Sequence, residues 1–343
     1  MPAPFRFIEA CRGRPVDCTP VWLMRQAGRY QASYRRIRER VSFFELCSTP
    51  ELAAQVTVDA VEQLGVDAGI IFSDILVLPR AMGAPMEITD KGPVLEHPIA
   101  TAAEVAALEV VDPVERMSFV MEAIRLTLSG LGGRVPLIGF AGAPFTLACY
   151  LVEGKHSRDF NRFKRMMVTD ERTAHALLEK LTEMVSRHLR AQVEAGCHAV
   201  QLFDSWAGIL SPADYRRFVL PYSQRIFASL ADLGVPRLHF GTATSTLLEL
   251  LREAGADVVG LDWRVDIGEA RRRLGQQVPV QGNLDPCLLF APRATLEARV
   301  RELLSAVDGA AGHIFNLGHG VLPETPEENA RLLVELVHRL SAR

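Results

Sequence analysis

Lysine is nearly absent from this chain. Four of its 38 basic residues are lysines, so arginine is the default cation and a local lack of lysine carries little information. No stretch of eighteen charge-free apolar residues occurs, which excludes an ordinary membrane-spanning helix. Residues 1–20 lack the uninterrupted apolar centre of a signal peptide, and a cytoplasmic location is expected. The six cysteines contain no CxxC pair, which fits reduced, mostly buried thiols better than a disulfide framework or a zinc knuckle. A large charge of either sign is missing too. With a net charge of -3, the chain has no bulk attraction for nucleic acid or an anionic membrane, so any anion recognition must be local. No Pro/Ser-rich linker divides the sequence, and residues 1–343 read as one domain.

What is present is an alternation. Short apolar runs occur at 21–24, 68–72, 135–140, 199–203, 237–240, 258–261, 278–281 and 313–317. Between them lie segments with helical spacing at 50–64, 172–195, 213–233, 244–254 and 294–307, with a last helix opening at Thr325-Pro326. Strands buried on both faces and alternating with helices imply a parallel sheet. Eight such units predict an α/β fold of a single (β/α)8 TIM-type barrel rather than an open doubly wound sheet. The long interruption at 73–134 carries turn signals and reads as a small excursion within the same domain.

A barrel places its site where strands end, so polar or glycine residues should follow each run. They do: Arg25 and Arg29, Ser73 and Asp74, AGAP at 141–144, Asp204 and Ser205, Gly241 and Thr242, Asp262 and Trp263, Gly282 with Asn283 and Asp285, and Gly318-His319-Gly320. Turns explain the glycines, but not the gathering of Arg, Asp, Ser and His. The stretch 22–40 holds six arginines and no lysine. On a helix Arg25 and Arg29 would share one face, about 6 Å apart at the β-carbons, and such a pair calls for an anion. Guanidinium forks match carboxylates or phosphates. Arg35, Arg36 and Arg40 read as a solvated helix face.

The motifs PVWLMRQAGRY, IIFSDILVLP, GFAGAPFTLACYLVEG, QLFDSWAG, LHFGT, QGNLDP and FNLGHG occur in this order along nearly the whole chain. The set resembles the uroporphyrinogen decarboxylase family. The resemblance implies a homodimer, acting without metal or organic cofactor on the four acetate side chains of uroporphyrinogen III to give coproporphyrinogen III. It implies Asp74 and Arg25 as catalytic groups, and substrate contacts from Arg25, Arg29, Arg38, Asp74, Tyr150, Ser205 and His319. Phe72, Phe140 and Phe203 would form apolar walls, although barrel core is an equal reading for each. His239 reads as structural.

One departure stands out. Many relatives continue the first motif with Pro and Glu, where this chain has Gln31-Ala32-Ser33, so a looser loop lacking an acidic partner is expected. Two other functions compete. A zinc-dependent corrinoid or thiol methyltransferase of related barrel fold needs His and Cys ligands, and His239-Phe240-Gly241 supplies no thiol. An RNA-binding patch would use the arginines with Tyr30 and Tyr34, but leaves Asp74, Ser205 and His319 idle.

Overall fold

Seven of the eight apolar runs become parallel strands in the computed structural model, which describes residues 5–89, 92–307 and 312–343. Residues 1–4 of the segment read for a targeting signal, and the turn expected at Asp90-Lys91, lie outside the described residues. The strands are β1 (Gly69–Ile70), β2 (Glu87–Thr89), β3 (Gly92–Val94), β4 (Leu137–Gly142), β5 (Ala199–Asp204), β6 (Arg237–Gly241), β7 (Val258–Gly260), β8 (Val280–Gln281) and β9 (His313–Ile314). β2 and β3 form a separate antiparallel pair inside the long excursion. The others run in the order β1-β4-β5-β6-β7-β8-β9, with every described neighbour pair parallel.

The sheet is curled, and its interior shows it. Trp22 Nε1 donates to Gln281 Oε1 at 2.9 Å, and Gln281 Nε2 donates to Gln201 Oε1 at 3.3 Å. In a flat sheet β5 and β8, three strands apart, would be about 14 Å from one another. The concave side holds its own buried cluster, with Ile138, Ala199, Phe203, Leu238, Phe240, Val258 and Ile314 meeting Trp22 and Met24. Phe7, Ile8, Ala10 and Cys11 of the helix Arg6–Cys11 join it, and Phe5 packs edge-on against His198, just before β5. That helix therefore covers the end where strands begin, leaving the opposite end to the loops that follow them.

The run expected as the first strand, 21–24, is reduced to a bridge at Val21. Phe315 N donates to Pro20 O (2.8 Å) and Trp22 N to Phe315 O (3.3 Å), while on the other side Asp67 N donates to Val21 O (2.8 Å). A regular ladder does not develop there because the Asp67 side chain, rather than a main-chain carbonyl, accepts the Val21 N–H (2.8 Å). The same buried carboxylate pairs with Arg6 (2.7 Å) and with His338 (2.7 Å) of the helix Glu327–Ser341. Asp67→Ala strands all three donors, and should lower the unfolding free energy by about 2–4 kcal/mol. Urea melts check this; a change below about 1 kcal/mol would make the hub dispensable.

The helices follow their local signals. Pro50–Leu64 begins with proline in its first turn and ends on Gly65 at φ 71°, a left-handed position that glycine fills without a Cβ penalty. The expected helix over 213–233 divides into Pro212–Phe218 and Leu220–Ser229, since Pro221 has no N–H to donate and its ring opposes the preceding turn. The expected helix over 244–254 begins only at Leu248. Before it, Thr244 and its neighbours form a turn, with the hydroxyl bonded to Gly241 O at 3.3 Å. Five cysteines are buried and free, Cys287 is exposed, and among the described residues no helix is long and apolar enough to cross a membrane.

Candidate active site

Arg25 stands a short turn beyond the Val21 bridge and adopts φ 63°, a left-handed conformation uncommon for a residue with a side chain. Its neighbours hold it there. Met24 N donates to Asn316 Oδ1 (3.0 Å), Val321 N to Met24 O (2.8 Å) and Gln26 N to Leu23 O (2.9 Å). The residues 24–31 are turn and bend rather than helix, so the expected helical face shared by Arg25 and Arg29 does not form. Both are exposed. Among the described residues neither has a carboxylate within ion-pair distance, which leaves both guanidinium groups available to an external anion.

Gly320 makes room for this arginine. A β-carbon added there would fall 2.3 Å from Arg25 Cδ and 2.9 Å from its Nε. Gly320→Ala should leave the fold intact, because the displaced atoms end a flexible side chain, while moving the guanidinium aside. A fall in kcat/KM of about tenfold is expected at near-normal melting temperature, of the size set by one misplaced polar contact. Unchanged kinetics would show that Arg25 needs no such passage.

Asp74 follows β1 and is partly buried, with Oδ1 accepting Leu76 N at 2.8 Å. Burial raises its carboxyl pKa, against lowering by the Leu76 N–H and by Arg25. Tyr150, on the helix Pro144–Glu153, has its phenol pushed up to about 12 by burial; Asp74 raises it further and Arg25 opposes. His319 is held down to about 4, chiefly by burial and then by Arg25 and Arg264, so its imidazole is neutral at neutral pH. Arg25 thus acts on the ionisation of Asp74, Tyr150 and His319, although the chain places these three on separate segments.

Arg29 and Arg38 belong to a second group. Both act on the Tyr34 phenol, which burial pushes up to about 12, and the Tyr34 ring lies 5.6 Å from Phe72. Arg38 also donates to the Val41 carbonyl and stands 5.8 Å from the Phe43 ring. Phe140 and Phe203 meet edge-on at 5.6 Å on adjacent strands β4 and β5, within the concave cluster. Ser205 is partly exposed just past β5, and its carbonyl accepts from the Thr242 hydroxyl.

One local expectation is extended and one corrected. Arg35, Arg36 and Arg40 are all exposed, as expected of a solvated face, and Arg35 also donates to Arg29 O (2.9 Å) and Tyr30 O (2.7 Å) and so ties down the arginine loop. The Gln31-Ala32-Ser33 link is not left loose: Gln31 and Ser33 bond Gln63 Oε1 at 3.2 and 3.3 Å, and Glu327 accepts Ala32 N at 3.2 Å. The Glu327 carboxylate, remote in sequence, thus holds the backbone of the link rather than one of its arginines. His239 is fully buried, 3.9 Å from Asp204 and 5.3 Å from the Phe227 ring.

Sequence reasoning missed an aromatic wall around Tyr150. Trp206 lies 6.0 Å from it and 4.7 Å from Phe160, which in turn is 5.8 Å from Tyr150. Trp206 sits inside QLFDSWAG, so motif position could have found it; Phe160 lies in a loop with no periodic signal. Among the described residues no three His, Cys, Asp or Glu side chains are grouped to hold a metal ion.

The chain matches the family described as Uroporphyrinogen decarboxylase (URO-D) over residues 3–340. It is 55% identical over 341 residues to a uroporphyrinogen decarboxylase of Syntrophotalea carbinolica, covering 99% of both chains. Against one from Geobacter sulfurreducens it is 51% identical, covering 98% of this chain and 99% of that protein. In architecture it resembles a methyltransferase from Methanosarcina mazei, at TM-score 0.81 and 22% identity over 97% of each chain, a likeness of fold alone. By the family match along almost its full length, together with relatives half identical from end to end, this chain belongs to the uroporphyrinogen decarboxylase family.

Proposed function

We propose that this chain removes CO2 from the four acetate side chains of uroporphyrinogen III, leaving methyl groups and giving coproporphyrinogen III, without a metal or organic cofactor. The observation that carries the reading is that the Arg25 charge acts on both Asp74 and His319 at the loop end of the curled sheet. Protonation of a ring α-carbon makes an iminium-like cation. The C–CO2 bond then breaks, its electron pair enters that cation, CO2 leaves, and a proton completes the methyl group as the α-proton departs. Each turn consumes one proton overall.

In this reading Asp74 accepts pyrrole N–H groups and stabilises the cation, a preorganised electrostatic effect. Arg25 holds the reacting carboxylate, while Arg29, Arg38, Tyr150, Ser205 and His319 receive the others. Phe72, Phe140 and Phe203 wall the macrocycle. The two-sided hydrogen bonding of Pro20–Trp22 supports a closed (β/α)8 barrel with that segment as its eighth strand, and a single domain over 1–343. A cytoplasmic homodimer, with no nucleic-acid or membrane partner, completes the reading on family likeness and the small net charge. The methyltransferase alternative has only fold in its favour.

Anaerobic incubation with uroporphyrinogen III and a strong chelator, then separation of the oxidised porphyrins, tests this. Stepwise seven-, six-, five- and four-carboxylate products support it. No conversion, or conversion only with added metal, overturns it.

A further inference from the structure

Beyond Arg25, Arg29 and Arg38, one guanidinium outside the sequence-derived set stands at the loop end of the sheet. Arg264 follows β7, four residues past Gly260. Its Cζ lies 3.9 Å from the Trp263 ring centroid, and its Nη1 donates to Asp262 Oδ2 at 2.6 Å. Stacking and pairing together fix a side chain that would otherwise sweep a wide volume. It is nevertheless 49% exposed.

Asp262 does not use up this charge. It is wholly buried and already accepts Ala243 N (2.5 Å) and Arg264 N (3.2 Å) besides the guanidinium. A guanidinium has five N–H donors, and a single one goes to Asp262, leaving Nε and Nη2 without an acceptor among the described residues. Trp263, on which Arg264 rests, meets the His319 ring edge-on at 6.1 Å. Gly318 permits that approach, since a β-carbon there would fall 2.2 Å from Trp263 N. On the other side of His319, Gly320 lies against Arg25. Arg25, His319, Trp263 and Arg264 therefore follow one another along the rim as a continuous arc.

We propose that Arg264 is a further substrate-binding residue, a preorganised anchor for a peripheral carboxylate of the macrocycle at the opposite end of this arc from Arg25. This rests on the decarboxylase reading. An octacarboxylate needs several cations spread over the width of a tetrapyrrole, and the two arginines do that while His319 between them is neutral and serves as a hydrogen-bonding group. The free guanidinium edge is the fork that a carboxylate matches.

Steady-state kinetics with uroporphyrinogen III, anaerobically and at two salt concentrations, test the assignment in R264Q and R264K. R264Q should lower kcat/KM about tenfold, the fall carried mainly by KM, and should flatten the rise of KM with salt. R264K keeps the charge but loses the planar stack and should fall between. Wild-type KM and salt dependence in R264Q overturn the proposal; should R264Q fail to fold, a wild-type KM in R264K does so instead. Wild-type protein that converts no uroporphyrinogen is a separate outcome, which removes the decarboxylase reading and this assignment with it.

Discussion

Asp74→Asn should fold normally and lose about 10²–10³-fold in kcat, the range found when a preorganised group facing developing charge is removed. Asparagine preserves the size of the side chain, and its carbonyl oxygen can still accept the Leu76 N–H that Asp74 accepts at 2.8 Å. What it cannot supply is negative charge. Burial makes the Asp74 carboxyl harder to ionise than in water, and the Leu76 N–H and the Arg25 charge act against that rise. The substituted amide still accepts pyrrole N–H groups, which predicts a loss in kcat larger than any rise in KM. Single-turnover and steady-state rates check this beside circular dichroism. Turnover within threefold of wild type would take Asp74 out of the chemistry.

Arg25→Gln should reduce kcat/KM by about 100-fold, near the upper range for losing a hydrogen bond to a charged group. Its signature is in the pH dependence. Arg25 lowers the pKa of both Asp74 and His319, so removing it lets both rise. His319, held near 4, would then take up a proton at a higher pH than in the native protein, and the acid limb of the rate profile should move upward. A merely structural arginine would lower stability and leave that limb in place. A variant with an unmoved profile and less than fivefold loss would assign the reacting carboxylate to another group.

Much of the architecture could be read directly because it rests on local patterning. Apolar runs give strands, Pro50 and Gly65 delimit a helix, and polar residues crowd the strand ends. The misreadings occur where a distant partner overrides the local signal. The first run fails to become a regular strand because Asp67 captures its N–H, and the 213–233 helix breaks at a proline that periodicity alone does not weigh. Among candidate residues, Asp74, Tyr150 and His319 were visible through motif and strand-end position. Arg264 is not, since no turn or motif signal marks it beyond Asp262 and Trp263, and nothing in the sequence says that Trp263 will carry a guanidinium. The shape of the arginine loop was equally hidden, because its supports, Asn316, Val321, Gln63 and Glu327, come from remote parts of the chain.

Those supports have a consequence for biosynthesis. The loop bearing Arg25 and Arg29 is synthesised well before Phe315, Asn316, Val321 and Glu327, which anchor it and its flanks. Until those residues have been made, the left-handed pose of Arg25 lacks the contacts that hold it, and a product halted before residue 313 has no partner for Pro20–Trp22 on that side of the sheet.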